Sequence, residues 1–508
     1  MTASSSIATS VTEANNLTSR HNDSHDYERV GEKSGDLDII VEKTSEIQND
    51  SSIALISPSN TQSRTTAINN KNKSSSNRKW IVLASFSLLS FSNAVLWITF
   101  GPCLYIFMAH YNQTTPSYIN ALATVYMVVY PILLLPILKI FDKWGLRQGV
   151  LIGAFLNALG TFLRFMGSFG PSGFWLLFLG QTIAAIAGVF ILGIPPKLAN
   201  TWFEFGEQNF ATGIGVTANN AGIAVGFLLS PWFIKEDTAS NDIPTYLLIQ
   251  FGACSLIYLI CVTTFASEAK FTNNIYIFLF RSSNHTDKTS TTFSTMRAFC
   301  ADKAFMLLAT SYGLTVGASY AVSTLLAQIV VPVFKMHDEN QVGFLGFLNV
   351  VAGMVGSVLI GVYLDRTFAY KRSCRILYII TLLSLGFFTI GLKTKNMLLV
   401  SISFMFFGVS TFAITPAVFQ YAPVITSSRL GEDEITSTGI LNSAAQIWGI
   451  VLVALMDTTE NVDQEFTMEL SCLLLLAISF IGMILIWLVK EDYDIKNGKE
   501  QEAQHLMK

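Results

Sequence analysis

Long apolar runs separated by short polar stretches dominate the chain beyond about residue 78, at approximately 80–108, 118–139, 148–167, 173–194, 209–230, 245–266, 304–334, 342–364, 375–392, 397–423, 434–456 and 468–489. Each is close to the roughly 20 residues that carry a helix across the hydrocarbon of a bilayer at about 1.5 Å per residue. The pattern therefore predicts twelve membrane-spanning helices. Open sheet is excluded in lipid because unpaired backbone groups would each cost several kcal/mol. Residues 1–78 are rich in Ser, Thr and Asn, show neither helical nor strand periodicity, and read as a disordered tail. The segment 267–303 is longer and more polar than the other connections, and six runs lie on either side of it. The expected organisation is an N-terminal bundle of six helices over 79–266, a linker, a C-terminal bundle over 304–490 and a short tail over 491–508. Two such bundles facing each other across a cavity would allow alternating access by rocking.

Composition sharpens this reading. Hydrophobic residues make up 51% of the 508-residue chain and charged residues only 13%, against roughly 25% charged in soluble domains. The surface needs lipid, and neither a nucleic-acid partner nor a cofactor is expected. The six cysteines, Cys103, Cys254, Cys261, Cys300, Cys374 and Cys472, have no metal-binding or redox spacing and read as packing residues. The first apolar run is too long for a cleavable signal and reads as a first span. Basic residues recur in alternate loops: Arg78 and Lys79, Lys143 and Arg147, Lys197, Lys270 to Lys303, Arg366 to Arg375, and Arg429. The loops between them carry little beyond Lys235, Lys335, Lys393 and Lys395. This bias predicts that both termini are cytoplasmic; a plasma-membrane rather than an organelle location and a monomeric chain are separate expectations.

Ionisable residues are scarce at mid-depth: Asp142, Lys197, Asp365 and Asp457 fall at span ends, and Arg164 near the outer end of the third. Buried charges are expensive and usually mark ion pathways, so facilitated diffusion is expected rather than proton or sodium coupling. Uncharged polar and aromatic side chains do occur within the spans, notably Asn93, Trp97, Gln181, Asn219, Asn220, Tyr312, Tyr320, Gln328, Gln420, Tyr421, Asn442, Gln446 and Trp448. In lipid an amide is expected to point inward, onto another helix or onto a ligand. Asn93 and Trp97 are four residues apart and share a helix face. Rings facing a cavity without a counter-carboxylate suit either a quaternary or primary amine held by cation–π attraction or a flat metabolite that stacks. No acid–base pair or activated nucleophile faces inward, so an enzyme is not expected. A membrane receptor that binds a solute without moving it is the alternative from another class.

A motif repeated at equivalent points of the two halves bears on the fold. After the second span the chain reads Asp142-Lys143-Trp144-Gly145-Leu146-Arg147, and after the eighth Gly361-Val362-Tyr363-Leu364-Asp365-Arg366. Both resemble the GxxxD(R/K)xG motif of the major facilitator superfamily, in which carboxylate and base form a conformational gate. Here Leu138 takes the first copy's opening glycine position, and the second copy lacks its following glycine, at Ala369. Longer stretches are similar to the feline leukaemia virus subgroup C receptor-related proteins, solute carrier family 49. They include Asn93-Ala94-Val95-Leu96-Trp97, Gly180-Gln181, Phe190 through Ala199, Gly222 through Phe227, Gly317 through Gln328, and Thr438 through Gln446, covering roughly 78–490. That resemblance implies a transporter of choline or ethanolamine, with haem or pyridoxine as alternative cargo. It implies that Trp97 and Tyr320 form an aromatic cage and that Asn219 and Gln446 are polar cavity contacts; Asn93, Gln181 and Asn442 are expected in the same lining from their polarity within the spans. Gly188 stands where the family often has glutamine. None of the six histidines falls at mid-membrane, which counts against an axial haem ligand. Asn112-Gln113-Thr114 forms a glycosylation sequon in an outer loop.

Overall fold

A computed structural model describes residues 58–113, 115–203, 207–266, 288–334, 340–430, 434–459 and 467–489. The tail over 1–57, the first part of the linker at 267–287 and the C-terminal residues from 490 lie outside the described residues. Twelve helices among those described are long and apolar enough to cross a membrane. In order they are Arg78–Ile98, Pro116–Phe141, Lys143–Met166, Pro171–Leu192, Phe210–Phe233, Glu236–Phe265, Lys303–Thr324, Asn340–Leu364, Tyr370–Lys393, Met397–Thr426, Thr436–Asp457 and Ser471–Leu488, called spans 1 to 12 below. With an even number of crossings, span 1 begins and span 12 ends on one face, here called the terminal face.

Local sequence accounts for most helix limits. Proline stands at the first turn of span 2 and of the short helix Pro195–Trp202, where its missing N–H costs nothing. The Asp302 carboxylate caps span 7 by accepting from the Phe305 N–H at 2.9 Å. The helical backbone that runs on from span 2 is interrupted in the first turn of span 3 at Gly145, whose φ of 80° and ψ of 172° fall in a region that glycine tolerates best. At the corresponding point after span 8, Phe368 takes φ 51°. It stands three residues after Asp365, as Gly145 stands three after Asp142, so the structure moves the equivalence from Ala369 to Phe368. The closing glycine of the motif is a left-handed turn position, and the second copy fills it with a phenylalanine.

Two apolar runs expected to be single spans are broken. The run 80–108 becomes span 1, a turn over 99–103, and a second helix Leu104–His110. The run 304–334 becomes span 7, which stops at Thr324, and the helix Leu326–Phe334. Gly101 and Pro102 explain the first interruption. The second is a kink at Leu325, across which the amide of Leu325 still bonds Ala321 and that of Ile329 still bonds Leu325. Both interruptions fall at matching places in the two halves.

Glycine sets the closest helix contacts. A methyl group built on Gly180 would lie 2.6 Å from the Gly160 carbonyl oxygen, and one on Gly160 2.7 Å from that of Gly180, so spans 3 and 4 touch backbone to backbone. In the second half Gly408 of span 10 leaves the same absence of room, 2.1 Å, against the Asn349 carbonyl of span 8. Between halves, span 5 packs on span 8 and span 11 on span 2.

The buried apolar side chains are distributed unevenly along the membrane normal. At the face away from the termini one core draws on both halves, joining Ile98, Phe107 and Phe227 to Val322, Leu325 and Val342. Toward the terminal face the core divides. One part contains residues of the first half only, from Val82 to Phe265, and the other residues of the second half only, from Phe299 to Val489.

Candidate functional site

Where the shared core gives way to the divided ones, the last turn of span 1 presents Trp97 and the last turn and a half of span 7 presents Tyr320. Their rings meet edge to face, with centroids 5.8 Å apart and planes at 79°. Trp97 also packs against the shared core and Tyr320 against that of the second half. The indole Nε1–H donates to the Ala123 carbonyl of span 2 at 3.3 Å, which fixes the ring's orientation. Each half therefore contributes one ring, and each ring sits just before its helix is interrupted. Met127 of span 2 lies within 3.1 Å of the place a side chain at Gly449 would occupy, and the Tyr320 Cβ within 3.5 Å of it, so the missing side chain at Gly449 keeps this crossing open.

The other predicted lining residues separate into two groups. Gln446 is buried to 9% exposure in span 11, less than one turn before Gly449. Asn442, one turn earlier and half-buried, stands beside the hydroxyl of Tyr130 from span 2, and Tyr130 also interacts with Tyr320. Asn219 is half-buried, and its amide donates to Ser90 Oγ at 3.3 Å and to the Ser90 carbonyl at 3.4 Å.

Asn93 and Gln181, by contrast, are engaged inside the first half. Asn93 is 1% exposed and donates to Asn157 Oδ1 at 2.9 Å and to the Ala184 carbonyl at 3.0 Å. Gln181 donates to the carbonyls of Leu96 at 3.2 Å and Leu122 at 3.0 Å, tying span 4 to spans 1 and 2. A side chain at Gly188 would come within 3.0 Å of Asn93 Oδ1 and 3.6 Å of the Tyr126 ring. The small residue makes room for both.

Tyr126 and Tyr130 escaped the sequence reading. The available signal was their spacing of four in span 2, followed at once by Pro131, which marks one helix face carrying two hydroxyls.

Toward the face away from the termini, polar contacts join the halves. Asn120 of span 2 donates to Gln328 Oε1 at 2.9 Å, and the Ser117 hydroxyl donates to the Asp457 carboxylate. Gly343 of span 8 lies against span 5, where a methyl group would stand 2.3 Å from the Phe227 carbonyl oxygen. At the terminal face Lys79 pairs with Glu207 within the first half. A side chain at Gly361 would meet nothing within 4 Å, and Arg366 is exposed. Arg147 is half-buried with its Nε–H unpartnered. The side chains of Asp142 and Asp365 lie outside the described residues.

Comparison with known proteins agrees with this architecture. Residues 86–453 match the family model of the Major Facilitator Superfamily. The chain is 32% identical to the choline/ethanolamine transporter flvcr2b of Danio rerio over 435 residues, which cover 84% of this chain and 87% of that protein. It is 33% identical to the choline/ethanolamine transporter FLVCR2 of Homo sapiens over 380 residues, covering 74% and 71% respectively. Among solved structures it superposes on the nucleoside transporter NupG with a TM-score of 0.60 at 12% identity, covering 81% of this chain and all of that one, a likeness of fold alone. With twelve spans in two six-helix bundles, a ring from each bundle at their junction and this match across both halves, the chain is a membrane transporter, not an enzyme, and belongs to the feline leukaemia virus subgroup C receptor-related branch of the major facilitator superfamily.

Proposed function

We propose that the protein carries choline or ethanolamine across the plasma membrane by facilitated diffusion. The observation that carries this reading is the Trp97–Tyr320 pair, one ring from each bundle, in a region whose other polar groups are uncharged amides and phenols. A quaternary or primary ammonium settling against a π face that this T-shaped pair leaves open gains about 0.5–2 kcal/mol per ring it touches. Gln446, Asn442 and Tyr130 then supply dipoles for the hydroxyl of either solute. Among the described residues Arg164 is the one charged side chain that is fully buried, and it is a cation, so the spans offer a proton little to bind. The gradient of the solute is then the driving force.

In this reading the termini are cytoplasmic and the structure corresponds to an inward-facing arrangement, with the outer ends of the bundles held together by the Asn120–Gln328 and Ser117–Asp457 bonds. Asp142, Arg147, Gly361, Asp365 and Arg366 form the opposing cytoplasmic gate, which closes when the bundles rock the other way. Proteoliposomes loaded with the full chain and supplied with radiolabelled choline or ethanolamine test the reading. Saturable uptake that falls at least tenfold in efficiency in Trp97→Ala and Tyr320→Ala is expected. Absence of saturable flux of either amine through the unmodified protein overturns the substrate, and binding of an amine without flux would favour a receptor.

A further inference from the structure

We propose that the first bundle contains an internal site for a small inorganic anion of halide size, held by the guanidinium of Arg164. Arg164 lies in the last turn of span 3 and is 0% exposed. Its Nε, Nη1 and Nη2 are all buried and make no hydrogen bond among the described residues. The guanidinium carbon lies 4.8 Å from the centre of the Phe100 ring, in the turn that interrupts span 1. The ionisable side chains that interact with it are Tyr126, Tyr246, Cys254 and Tyr111; no carboxylate is among them.

Those neighbours do not neutralise it. The Tyr111 hydroxyl donates to the Gly167 carbonyl at 3.0 Å, and the Tyr246 hydroxyl shares a hydrogen bond with Ser230 Oγ at 3.2 Å. The Tyr126 hydroxyl is buried and unpartnered, and so adds another donor to the unsatisfied donors of Arg164. Five N–H donors and a phenol around one buried positive charge call for a negative acceptor. Water would accept the hydrogen bonds but leave the charge uncompensated. Packing around the stem of the side chain is close: a side chain at Gly180 would come within 2.7 Å of the Arg164 amide nitrogen and 3.0 Å of its Cγ. Spans 3 and 4 are thus in backbone contact at the base of this side chain, and a monatomic anion is the smallest acceptor that balances the charge. Because Gln250, also buried, donates to Thr99 at the start of the span 1 turn, an occupied site would hold that turn against spans 3 and 6.

The test uses the full chain in nanodiscs, with no transported solute present, and so stands apart from the choline reading. Thermal unfolding is followed while chloride or bromide replaces gluconate at constant ionic strength. A saturable rise in the midpoint is expected for the unmodified protein and for Arg164→Lys, a smaller one for Tyr126→Phe, and none for Arg164→Gln. An unmodified protein that responds equally to gluconate and chloride overturns the proposal, as does an Arg164→Gln variant that keeps the full halide response. Should Arg164→Gln fail to fold, equilibrium binding of chloride-36 to the unmodified chain decides: one saturable site per chain supports the proposal, and none refutes it.

Discussion

Several residues do work in this structure that their type alone does not announce. Phe368 is exposed and takes φ 51°, a left-handed conformation that costs a side-chain-bearing residue about 1–2 kcal/mol. Replacing it with glycine removes that strain against a smaller cost in chain entropy, so Phe368→Gly is expected to raise the unfolding midpoint by a degree or two. The reverse experiment, Gly145→Ala at φ 80°, is expected to destabilise by about 1 kcal/mol or more. Unfolding of the two variants side by side checks both, and a stabilised Gly145→Ala would contradict the assignment. Among the candidate lining residues, sequence showed which side chains were too polar for lipid but not where their hydrogen bonds go. Asn93 and Gln181 look like Asn442 and Gln446 in one dimension, yet the first two bond Asn157 and three helix carbonyls inside one bundle. Only the tertiary path of spans 3 and 4 separates the groups. Asn93→Ala, which leaves the Asn157 amide oxygen and the Ala184 carbonyl without that donor, is therefore expected to act through stability, by about 1–3 kcal/mol, rather than through selective loss of affinity. Uptake kinetics on the folded fraction distinguish the two.

At the scale of helices, hydropathy located all twelve spans because lipid imposes length and apolarity on each independently of its neighbours. It did not locate the interruptions after Ile98 and Thr324. The residues beyond them, Leu104–His110 and Leu326–Phe334, remain apolar enough to prolong the runs. Gly101-Pro102 signals the first, whereas Ser323-Thr324-Leu325 carries no comparable breaker, so the second arises from packing. The backbone contact of spans 3 and 4 through Gly160 and Gly180 gives a sharper prediction. Gly180→Ala places a methyl 2.6 Å from a carbonyl oxygen that belongs to a helix backbone and has little freedom to retreat, so a loss of about 1–3 kcal/mol is expected. Detergent-solubilised yield and unfolding midpoint should both fall, while Gly193→Ala, where a methyl meets nothing within 4 Å, is expected to leave packing undisturbed.

For the molecule as a whole, the bonds between halves at one face imply that this closure can be trapped. Cysteines placed at Asn120 and Gln328, whose side chains meet at 2.9 Å, are expected to join through a short reducible crosslinker in a Cys300→Ser background. Uptake should be abolished and then restored by reductant; full activity with the crosslink intact would rule out separation of these ends during transport. The apolar core adds a consequence of its own. It is common to both halves at one face and split at the other, so the proposed rocking of the bundles would part oily surfaces such as Phe227 and Val342 before water while joining others. Parting apolar area from itself carries a heat capacity of about +0.45 cal/K/mol per Å². Unless the newly joined area matches the parted area, the return of the empty carrier will bend in an Eyring plot, and the sense of the curvature will reveal which of the two conformations hides more hydrocarbon.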